Sequence, residues 1–375
     1  MAFLHGVETL QVDNGVKVIT TPATAVIGIA GVNGSDGNST DVSILGSPQL
    51  ITPSKTLEEQ GLDQSWPVYK AIKAVFDIAS PLVIWVPYGV DTAGDEDVTL
   101  EEAVEAMRLS RNLIGYSPKI LITDDPVNAP RAKMIEVAEK LRAIVPTDVQ
   151  GVDVQAMLTD RATYTDAREF LVGPKVKVDG EDLWYSWIMA GMIAWTDENH
   201  GYHYSPSNKV METVQGTEFP ITASITDSTA DTNVLNAQGI TTVFSGYAQG
   251  YRTWGNRNAS FPTTAGINTF LSVTRTADVL EDAIESVSLQ WIDRPINNAL
   301  IDSIVESVNQ FFRTKIGEGV IVDGQASFDP EKNTETEISN GHLVISYEFI
   351  PPPPLERLTF RSFININLLS KLTAE

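Results

Sequence analysis

The C-terminal segment restricts the fold of this chain more than any other stretch, because four consecutive prolines precede a strand pattern. Residues 351–354 have no backbone N–H to donate to a sheet, and a proline run forms a stiff, extended spacer. The residues after it alternate between two faces, with Leu358, Phe360, Ser362, Ile364 and Ile366 on one and Thr359, Arg361, Phe363 and Asn365 on the other. A strand on such a tether is placed to pair with the sheet edge of another subunit.

The N-terminal segment is also predicted to be an extended arm. Residues 3–18 contain two short extended runs around Asp13-Asn14-Gly15, which is a hairpin-turn signal. The residues expected to form strands between subunits are Val7, Thr9, Leu10 and Val12 at this end and Leu358, Thr359, Phe360, Ile364 and Ile366 at the other. The N-terminal residues should become ordered only on assembly, since a free terminus loses little by staying mobile. A further hairpin signal lies at residues 337–349.

Between the arms, the first part of the chain alternates strand-like and helix-like segments. Strands are predicted over residues 24–30, 82–86, 119–123, 152–158 and 175–178, and helices over residues 100–113, 129–145 and 165–171. The 129–145 helix has a continuous apolar stripe, and Pro146 is expected to stop it. Strands separated by helices of this length predict a largely parallel sheet with right-handed crossovers, which is an α/β architecture.

The second part of the chain mixes helices with short strands. Helices are predicted over residues 183–195, 275–290 and 297–316, and short strands within residues 210–253. The 297–316 helix ends with Arg313 and Lys315 before Gly317, a favourable arrangement for a helix C-terminus. The predicted fold class is therefore α/β and α+β, with a parallel-sheet domain, a mixed C-terminal domain and extended N- and C-terminal arms.

Size and composition are those of a globular protein with a substantial core. At 375 residues the chain exceeds the length at which one core keeps growing, so two or three domains are expected. No apolar run reaches the ~18 residues of a membrane span, and the first residues do not form a secretory signal, so export by the general secretory route is not expected. Cysteine is absent, which removes disulfides and thiolate chemistry and fits assembly in a reducing cytosol.

The charge balance argues against a nucleic-acid partner. The net charge is −23, and such a surface repels phosphate. The acidic residues 91–102 lack the alternating ligand order of a calcium loop. They are interpreted as an exposed loop that leads into a helix with acidic residues in its first turn.

Catalytic patterns are scarce, so no enzymatic activity, metal or cofactor is predicted. The histidines are His5, His200, His203 and His342, and none lies in the α/β segment, which also lacks a G-x-S-x-G elbow. His200 and His203 near Asp197 lack a defined metal-ligand set. Glycines 28, 31 and 34 follow a strand with G-x-x-G-x-x-G spacing, which differs from the dinucleotide fingerprint, and no P-loop motif is present. An α/β hydrolase-like or nucleotide enzyme remains the alternative from another class.

Six segments in order along the chain resemble one protein family. They are PATAVIGIAG (residues 22–31), GYHYSPSN (201–208), GYRTWGNRN (250–258), SVTRTADVLEDAIE (272–285), WIDRPI (291–296) and EFIPPPPLERLTFRSFIN (348–365). Together they resemble the sheath protein of contractile phage tails, of the short type found in P2-like phages and R-type bacteriocins. Arg252, Arg257, Arg275 and Arg294 recur in these segments. Such arginines usually tie loops to carboxylates or carbonyls within a fold.

The resemblance implies a domain organisation and a mode of assembly. The implied units are an N-terminal arm (1–20), a contribution to the core sheath domain (21–90), a non-catalytic, subtilisin-like α/β domain (91–200), the C-terminal core sheath domain (201–354) and a C-terminal arm strand (355–375). Family sheaths form hexameric rings stacked helically around a tail tube. The implied partners are other copies of the chain, the tube protein, and baseplate and tail terminator proteins, with neither nucleic acid nor membrane insertion.

The resemblance also implies a location and a contact with the tube. The protein is expected in the virion tail after assembly in the bacterial cytoplasm, and the sheath of a bacteriocin-like particle remains the alternative. Family sheaths hold the tube through a helix of the C-terminal domain, so Arg313 and Lys315 are candidate tube contacts. The alternative, that these two residues only complement the helix dipole, stays open.

Overall fold

The structure is a computed structural model that describes residues 19–34, 41–89, 97–246 and 250–372. The N-terminal strand residues Val7, Thr9, Leu10 and Val12 lie outside these ranges, as do residues 91–96 of the acidic segment. Helices and strands alternate in the first half of the described chain, and two long helices precede a hairpin in the second. The α/β and α+β fold class is therefore confirmed.

The element bounds are as follows. The strands are β1 (Val26–Val32), β2 (Gln49–Ile51), β3 (Leu82–Tyr88), β4 (Ile120–Thr123), β5 (Val145–Asp148), β6 (Glu169–Val172), β7 (Val176–Val178), β8 (Glu181–Leu183), β9 (Val210–Met211), β10 (Gly216–Thr217), β11 (Thr242–Phe244), β12 (Tyr251–Trp254), β13 (Asp323–Phe328) and β14 (Ile345–Ile350). The α-helices are α1 (Pro67–Phe76), α2 (Leu100–Ala106), α3 (Ser110–Ile114), α4 (Arg131–Leu141), α5 (Val154–Arg161), α6 (Tyr185–Asn199), α7 (Asp231–Ala237), α8 (Leu271–Ser288), α9 (Asn298–Gly317) and α10 (Glu335–Ser339). Short 3-10 helices include Met107–Leu109 and Ile366–Leu372.

A mixed sheet forms the centre of the α/β part. Strand β1 pairs in parallel with β3 and β4, and β2 is antiparallel at the edge beside β3. Backbone bonds continue this sheet from β4 to β5 (Leu121 N–H to Ile144 O, 2.8 Å) and from β6 to β11 (Thr241 N–H to Leu171 O, 2.8 Å). The predicted parallel arrangement holds for β1, β3 and β4, and β5 and β6 extend it in parallel from residues that were not predicted as strands. The strand predicted over residues 175–178 is β7, which lies outside this sheet and pairs antiparallel with β8 and β10, so its predicted parallel placement is wrong.

Alternate side chains of the central strands fill two cores on opposite faces. Ile120 and Ile122 point to the face covered by α1 and α6, whereas Leu121 points to the face covered by α2 and α4. This two-residue alternation is the direct consequence of strand geometry. Helix α6 is buried on nearly all sides, which explains why its sequence is apolar without a clear polar face.

Two of the three glycines whose spacing was compared with the dinucleotide fingerprint lie where the backbone packs closely against other elements. A Cβ on Gly28 would lie 2.9 Å from Pro118 Cβ, and one on Gly31 would lie 2.3 Å from Val68 Cγ2. Both glycines stand inside the buried strand β1, where neighbouring elements approach the backbone closely. The need for close packing accounts for this pair without a bound cofactor.

Two predicted elements between residues 152 and 171 are wrong, because helix and strand are exchanged. The predicted strand 152–158 is helix α5, whose N-cap Asp153 accepts a 2.8 Å hydrogen bond from the Ala156 N–H. The predicted helix 165–171 contains the start of β6, a four-residue strand buried throughout. The periodicity of a short apolar run does not distinguish a helix from a strand. The N-cap residue Asp153 was the sequence signal that could have identified the helix.

Two further predictions need correction at their boundaries. The helix predicted over residues 129–145 ends at Leu141, where Arg142 adopts a left-handed conformation, and Val145 and Pro146 belong to β5. The hairpin predicted at residues 337–349 is different in kind, since residues 335–339 form α10 and the partner of β14 is β13. The long helices α6, α8 and α9 match their predicted positions within a few residues.

A row of ion pairs attaches helix α8 to the end of the parallel sheet. Lys119, Arg142 and Arg168 each precede a strand, and their partners lie along one face of α8. Arg168 Nη1 lies 2.5 Å from Asp278 Oδ2, Arg142 Nη1 lies 2.9 Å from Asp282 Oδ1, and Lys119 also pairs with Asp282. Ion pairs that are partly buried and share partners are screened by salt less than isolated pairs on the surface. They fix the C-terminal helices to the α/β part.

Candidate assembly surfaces

The C-terminal arm leaves the body of the subunit with its side chains exposed. Pro351 is buried and Arg257 holds Glu356 at the root of the arm, with Nη2 2.6 Å from Oε2. Beyond this anchor, Phe360 is 86% exposed and Phe363 is 85% exposed. Residues 355–365 have no strand partner in the part of the chain that the structure describes. Exposed aromatic and aliphatic side chains on this scale mark an interaction surface.

The segment that could form the predicted arm strand is shorter than the sequence pattern suggested. Leu358, Thr359, Phe360 and Ile364 lie in the segment without helix, but Ile366 begins the 3-10 helix Ile366–Leu372. The Asn365 side chain accepts a 3.0 Å hydrogen bond from the Asn367 N–H, a local turn that competes with an extended backbone. Ile366, Leu368, Leu369 and Leu372 are each more than half exposed, so the arm ends in a second apolar surface.

The β13–β14 hairpin is a two-stranded sheet that lies on α9. Its inner face carries Ala326, Tyr347 and Phe349, and the last two pack at an angle against Phe312 of α9, with ring centroids 6.0 and 5.9 Å from that ring. Its outer face presents Asp323, Gln325 and Glu348. A shallow cavity of about 260 Å³ opens between residues 323–325 and 348–350. An isolated two-stranded sheet is marginal in water, which makes this hairpin a natural acceptor for a third strand.

Arm and hairpin carry opposite charge. Residues 355–375 contain three basic residues (Arg357, Arg361 and Lys371) and two acidic residues (Glu356 and Glu375), a net of +1. The acidic residues of segment 323–350 are Asp323, Asp329, Glu331, Glu335, Glu337 and Glu348, and its one basic residue is Lys332, so its net charge is −5 with His342 neutral. Charges of opposite sign steer association and select the partner.

The two predicted tube contacts on α9 differ in exposure. The side chain of Arg313 is 58% exposed and pairs with Glu306 on the same helix. Lys315 is buried, and its Nζ lies 2.7 Å from Glu318 Oε2. The stem of a lysine packs well against apolar neighbours such as Phe311, which explains the burial.

Three of the recurring arginines tie distant segments together, as the sequence predicted. Arg257 holds the root of the arm, and Arg275 forms a buried, two-pronged pair with Asp197 in which both N···O distances are 2.6 Å. Arg252 donates a 3.2 Å hydrogen bond to the Asn208 carbonyl. These contacts join loops and helices that are far apart in sequence.

The carboxyl ends of the central strands carry a buried acid that serves the fold. Asp124 follows β4 and accepts hydrogen bonds from the Val32 N–H (2.8 Å) and the Tyr88 hydroxyl (3.0 Å). Burial raises the pKa of Asp124 to about 7. Both carboxylate oxygens are thus engaged by donors of the protein itself, and the position ties β1, β3 and β4 together where α/β enzymes place their ligands.

The histidine turn forms an aromatic cluster. His200 packs edge-on against Trp195 with centroids 5.4 Å apart, and His203 lies 4.7 Å from Tyr204. Within the described ranges, no three His, Asp or Glu side chains are arranged to hold a metal ion. The helices of those same ranges are all too short or too polar to cross a membrane.

Comparison with known proteins identifies two family domains in sequence order. The phage tail sheath protein central domain matches residues 96–259, and the phage tail sheath C-terminal domain matches residues 268–365. The tail sheath protein of Burkholderia phage BcepMu is 38% identical over 322 residues, which cover 80% of this chain and 66% of that protein. The tail sheath protein of Escherichia phage P2 is 27% identical over 392 residues, covering 98% of this chain and 97% of the relative.

Solved structures share the fold over nearly the whole chain. The helical sheath of the anti-feeding prophage in its contracted state superposes with a TM-score of 0.73 at 16% identity, covering 97% of this chain and 100% of that chain. The sheath complex of an extracellular contractile injection system, also contracted, gives a TM-score of 0.72 at 13% identity, with 98% and 99% covered. The fold therefore extends well beyond close sequence relatives.

Proposed function

Because this chain belongs to the phage tail sheath family, whose members are structural proteins of contractile tails and related injection systems, we propose that it polymerises as stacked hexameric rings around a tail tube. Neighbouring subunits are linked by strand exchange, in which the terminal arms complete the hairpin sheets of other copies. Contraction of this sheath drives the tube through the host envelope. The exposed C-terminal arm beside an uncovered two-stranded hairpin is the observation that supports the proposal most strongly.

The arrangement explains how subunits stay connected while they move. Backbone hydrogen bonds in a shared sheet hold regardless of how the globular bodies rotate, and the proline spacer lets the arm act as a hinge. The ion-paired attachment of α8 keeps each body rigid. If contraction buries a few hundred Å² more apolar surface per subunit, burial at ~25 cal/mol per Å² supplies several kcal/mol for each copy without a nucleotide.

Further partners follow from this role. The sheath would rest on a baseplate, end at a terminator protein and enclose a tube protein. Tail sheath proteins of phages are part of the virion, and the absence of cysteine suits assembly in the bacterial cytoplasm beforehand. Contacts that do not close on themselves generate the helical array such a sheath requires.

Electron microscopy of the purified full-length protein tests the polymerisation. We expect cylinders or tubes with helical symmetry to form from the protein alone at high concentration, since each subunit carries both an arm and an acceptor. The length of the cylinders should grow with protein concentration. Only monomers or closed single rings at all concentrations would contradict the proposal.

We also propose Arg313 as the contact of α9 with an acidic tube surface. Its guanidinium is exposed on a chain of net charge −23, and Lys315 does not compete for the same role because it is buried. Such an exposed contact is weak singly and screened by salt, so many must break together when the sheath contracts.

Replacing Arg313 by Glu should prevent extended assembly on the tube or lower the salt concentration at which contraction begins. Cylinders formed without tube should remain. The measurement is the ratio of extended to contracted sheaths in electron micrographs over a salt series, with Lys70→Glu as the control, since Lys70 is an exposed cation of α1. If the ratio of extended to contracted sheaths is unchanged by Arg313→Glu, Arg313 does not contact the tube. Its ion pair with Glu306 is then the contact that remains.

A further inference from the structure

One edge of the hairpin is closed by a side chain. The Asn309 amide of α9 donates from Nδ2 to the Ala326 carbonyl at 3.0 Å and accepts from the Ala326 N–H at 2.7 Å through Oδ1. Backbone N–H and C=O groups of one strand residue point to the same side. Ala326 therefore directs both groups away from β14, and Asn309 occupies the place that a third strand on β13 would take.

The other edge of the hairpin is open. Ala326 is opposite Tyr347, and since the groups of Ala326 point outward, this is a non-hydrogen-bonded pair. Tyr347 must then direct its own N–H and C=O to the outer edge of β14, and so must Ile345 and Phe349 by alternation. In the described part of the chain these groups have no hydrogen-bond partner. Unpaired strand edges are the usual templates for a strand from another chain.

We infer that Asn309 determines which edge of the hairpin accepts the exchanged strand. It closes the edge of β13, so that the C-terminal arm of a second copy adds at the outer edge of β14. The inference rests on the proposed function, because it specifies where a shared sheet forms. Asn309 is a positioning residue that makes no contact with the incoming arm. It selects the edge by supplying β13 with the two hydrogen bonds that the arm would otherwise offer.

The incoming strand must come from another copy. The arm of the same chain starts directly after β14, and its prolines hold an extended path of ~3 Å per residue away from the hairpin. Glu356 is then held by Arg257, so the arm is anchored away from its own acceptor edge. The arm of net charge +1 also suits a hairpin segment of net charge −5. If the apolar arm face turns toward α9, Arg361 lies on the opposite face, which would meet the outer side chain of Glu348.

The two edges predict different distances to the arm. Neighbouring strands lie ~4.8 Å apart, so an arm on β14 places its side chains next to Glu348 and about 10 Å from Gln325 on β13. A disulfide requires Cα atoms closer than ~7 Å. Because the chain has no cysteine, pairs can be introduced into the full-length protein without background.

The experiment uses sheaths assembled from full-length protein with one cysteine in the arm and one in the hairpin. Thr359→Cys, Arg361→Cys and Phe363→Cys, which share an arm face, are each combined with Glu348→Cys on β14 or Gln325→Cys on β13. Mild oxidation should give intersubunit disulfides with position 348 in at least one combination, and essentially none with position 325. Equal yields with the two positions would overturn the inference, and no cross-link in any combination would overturn the strand exchange itself.

The role of Asn309 is tested in the same background. Asn309→Ala, which removes both hydrogen bonds to Ala326, should raise the cross-link yield at position 325 at least about tenfold, since the net free energy of a single hydrogen bond can already change an equilibrium by that factor. Asn309→Asp keeps the acceptor and loses the donor, so it should give an intermediate cross-link yield at position 325. This variant replaces the alanine variant in the experiment if the latter folds poorly. Gln310→Ala, on the exposed side of α9, is the matched control. If position 325 stays unreactive in both Asn309 variants while position 348 reacts, strand exchange stands and Asn309 is not its selector.

Discussion

Deleting residues 358–375 should leave a folded, soluble subunit that forms no cylinders. The reason is that every residue of this segment whose burial is described is exposed, so its loss should remove contacts mainly from the assembly. Phe360 and Ile364 alone are 86% and 105% exposed, and their removal should even raise solubility. Sedimentation and electron microscopy would report polymerisation, and circular dichroism would report folding.

A shorter deletion separates the two parts of the arm. Removing residues 366–375 takes away the apolar 3-10 helix but keeps the extended segment 355–365. Cylinders should still form with this variant, although they should dissociate at lower denaturant concentration.

Two outcomes would contradict the prediction for the 358–375 deletion. Normal sheaths would show that the arm strand is not required for assembly, and an unfolded subunit would show that the arm belongs to the fold.

The sequence predicts best those elements that are long or buried on both faces. Helices α8 and α9 carry continuous apolar stripes, and β1 and β3 are apolar runs between clear breaks, so their positions follow from pattern alone. The short elements α5 and β6 fail because a few apolar residues fit either period. Strand β13 was missed because DGQASF combines glycine and polar residues, and its strand conformation depends on pairing with β14 and packing on α9.

The assembly surfaces were predicted in part. The arm is evident from the prolines and the alternating residues after them, because both are local properties of the sequence. The inward turn of Lys315 depends on Glu318 and Phe311, and the closure of β13 by Asn309 depends on how a helix meets a strand. Such contacts form between elements whose relative placement the sequence pattern does not give.

The buried pair between Arg275 and Asp197 should be the most sensitive ionic contact of the described fold. It joins α8 to α6, and its side chains are only 5% and 2% exposed, so neither charge can be satisfied by water when the partner is lost. Arg275 Nη2 also lies 3.4 Å from the Thr24 carbonyl before β1. The single arginine thus holds the C-terminal helices against the α/β part from inside.

Replacing Arg275 by Met should lower the free energy of unfolding by about 3–5 kcal/mol, because the Asp197 carboxylate is left buried without a partner. The shift in the urea midpoint of the non-assembling 358–375 deletion variant measures the effect without interference from polymerisation. Lys70→Met removes a pair whose side chains are 51% and 63% exposed, and it should change stability by less than about 1 kcal/mol.

The double variant Arg275→Met with Asp197→Leu distinguishes the cost of an unpaired charge from the value of the pair. Since two apolar side chains of similar size can replace a buried ion pair with little loss, we expect it to recover most of the stability that Arg275→Met loses. Equal losses in the single and double variants would mean that the geometry of the pair, including the bond to Thr24, is what holds α8 in place. In that case the attachment of the C-terminal helices depends on the arginine itself, and the row formed by Lys119, Arg142 and Arg168 could not replace it.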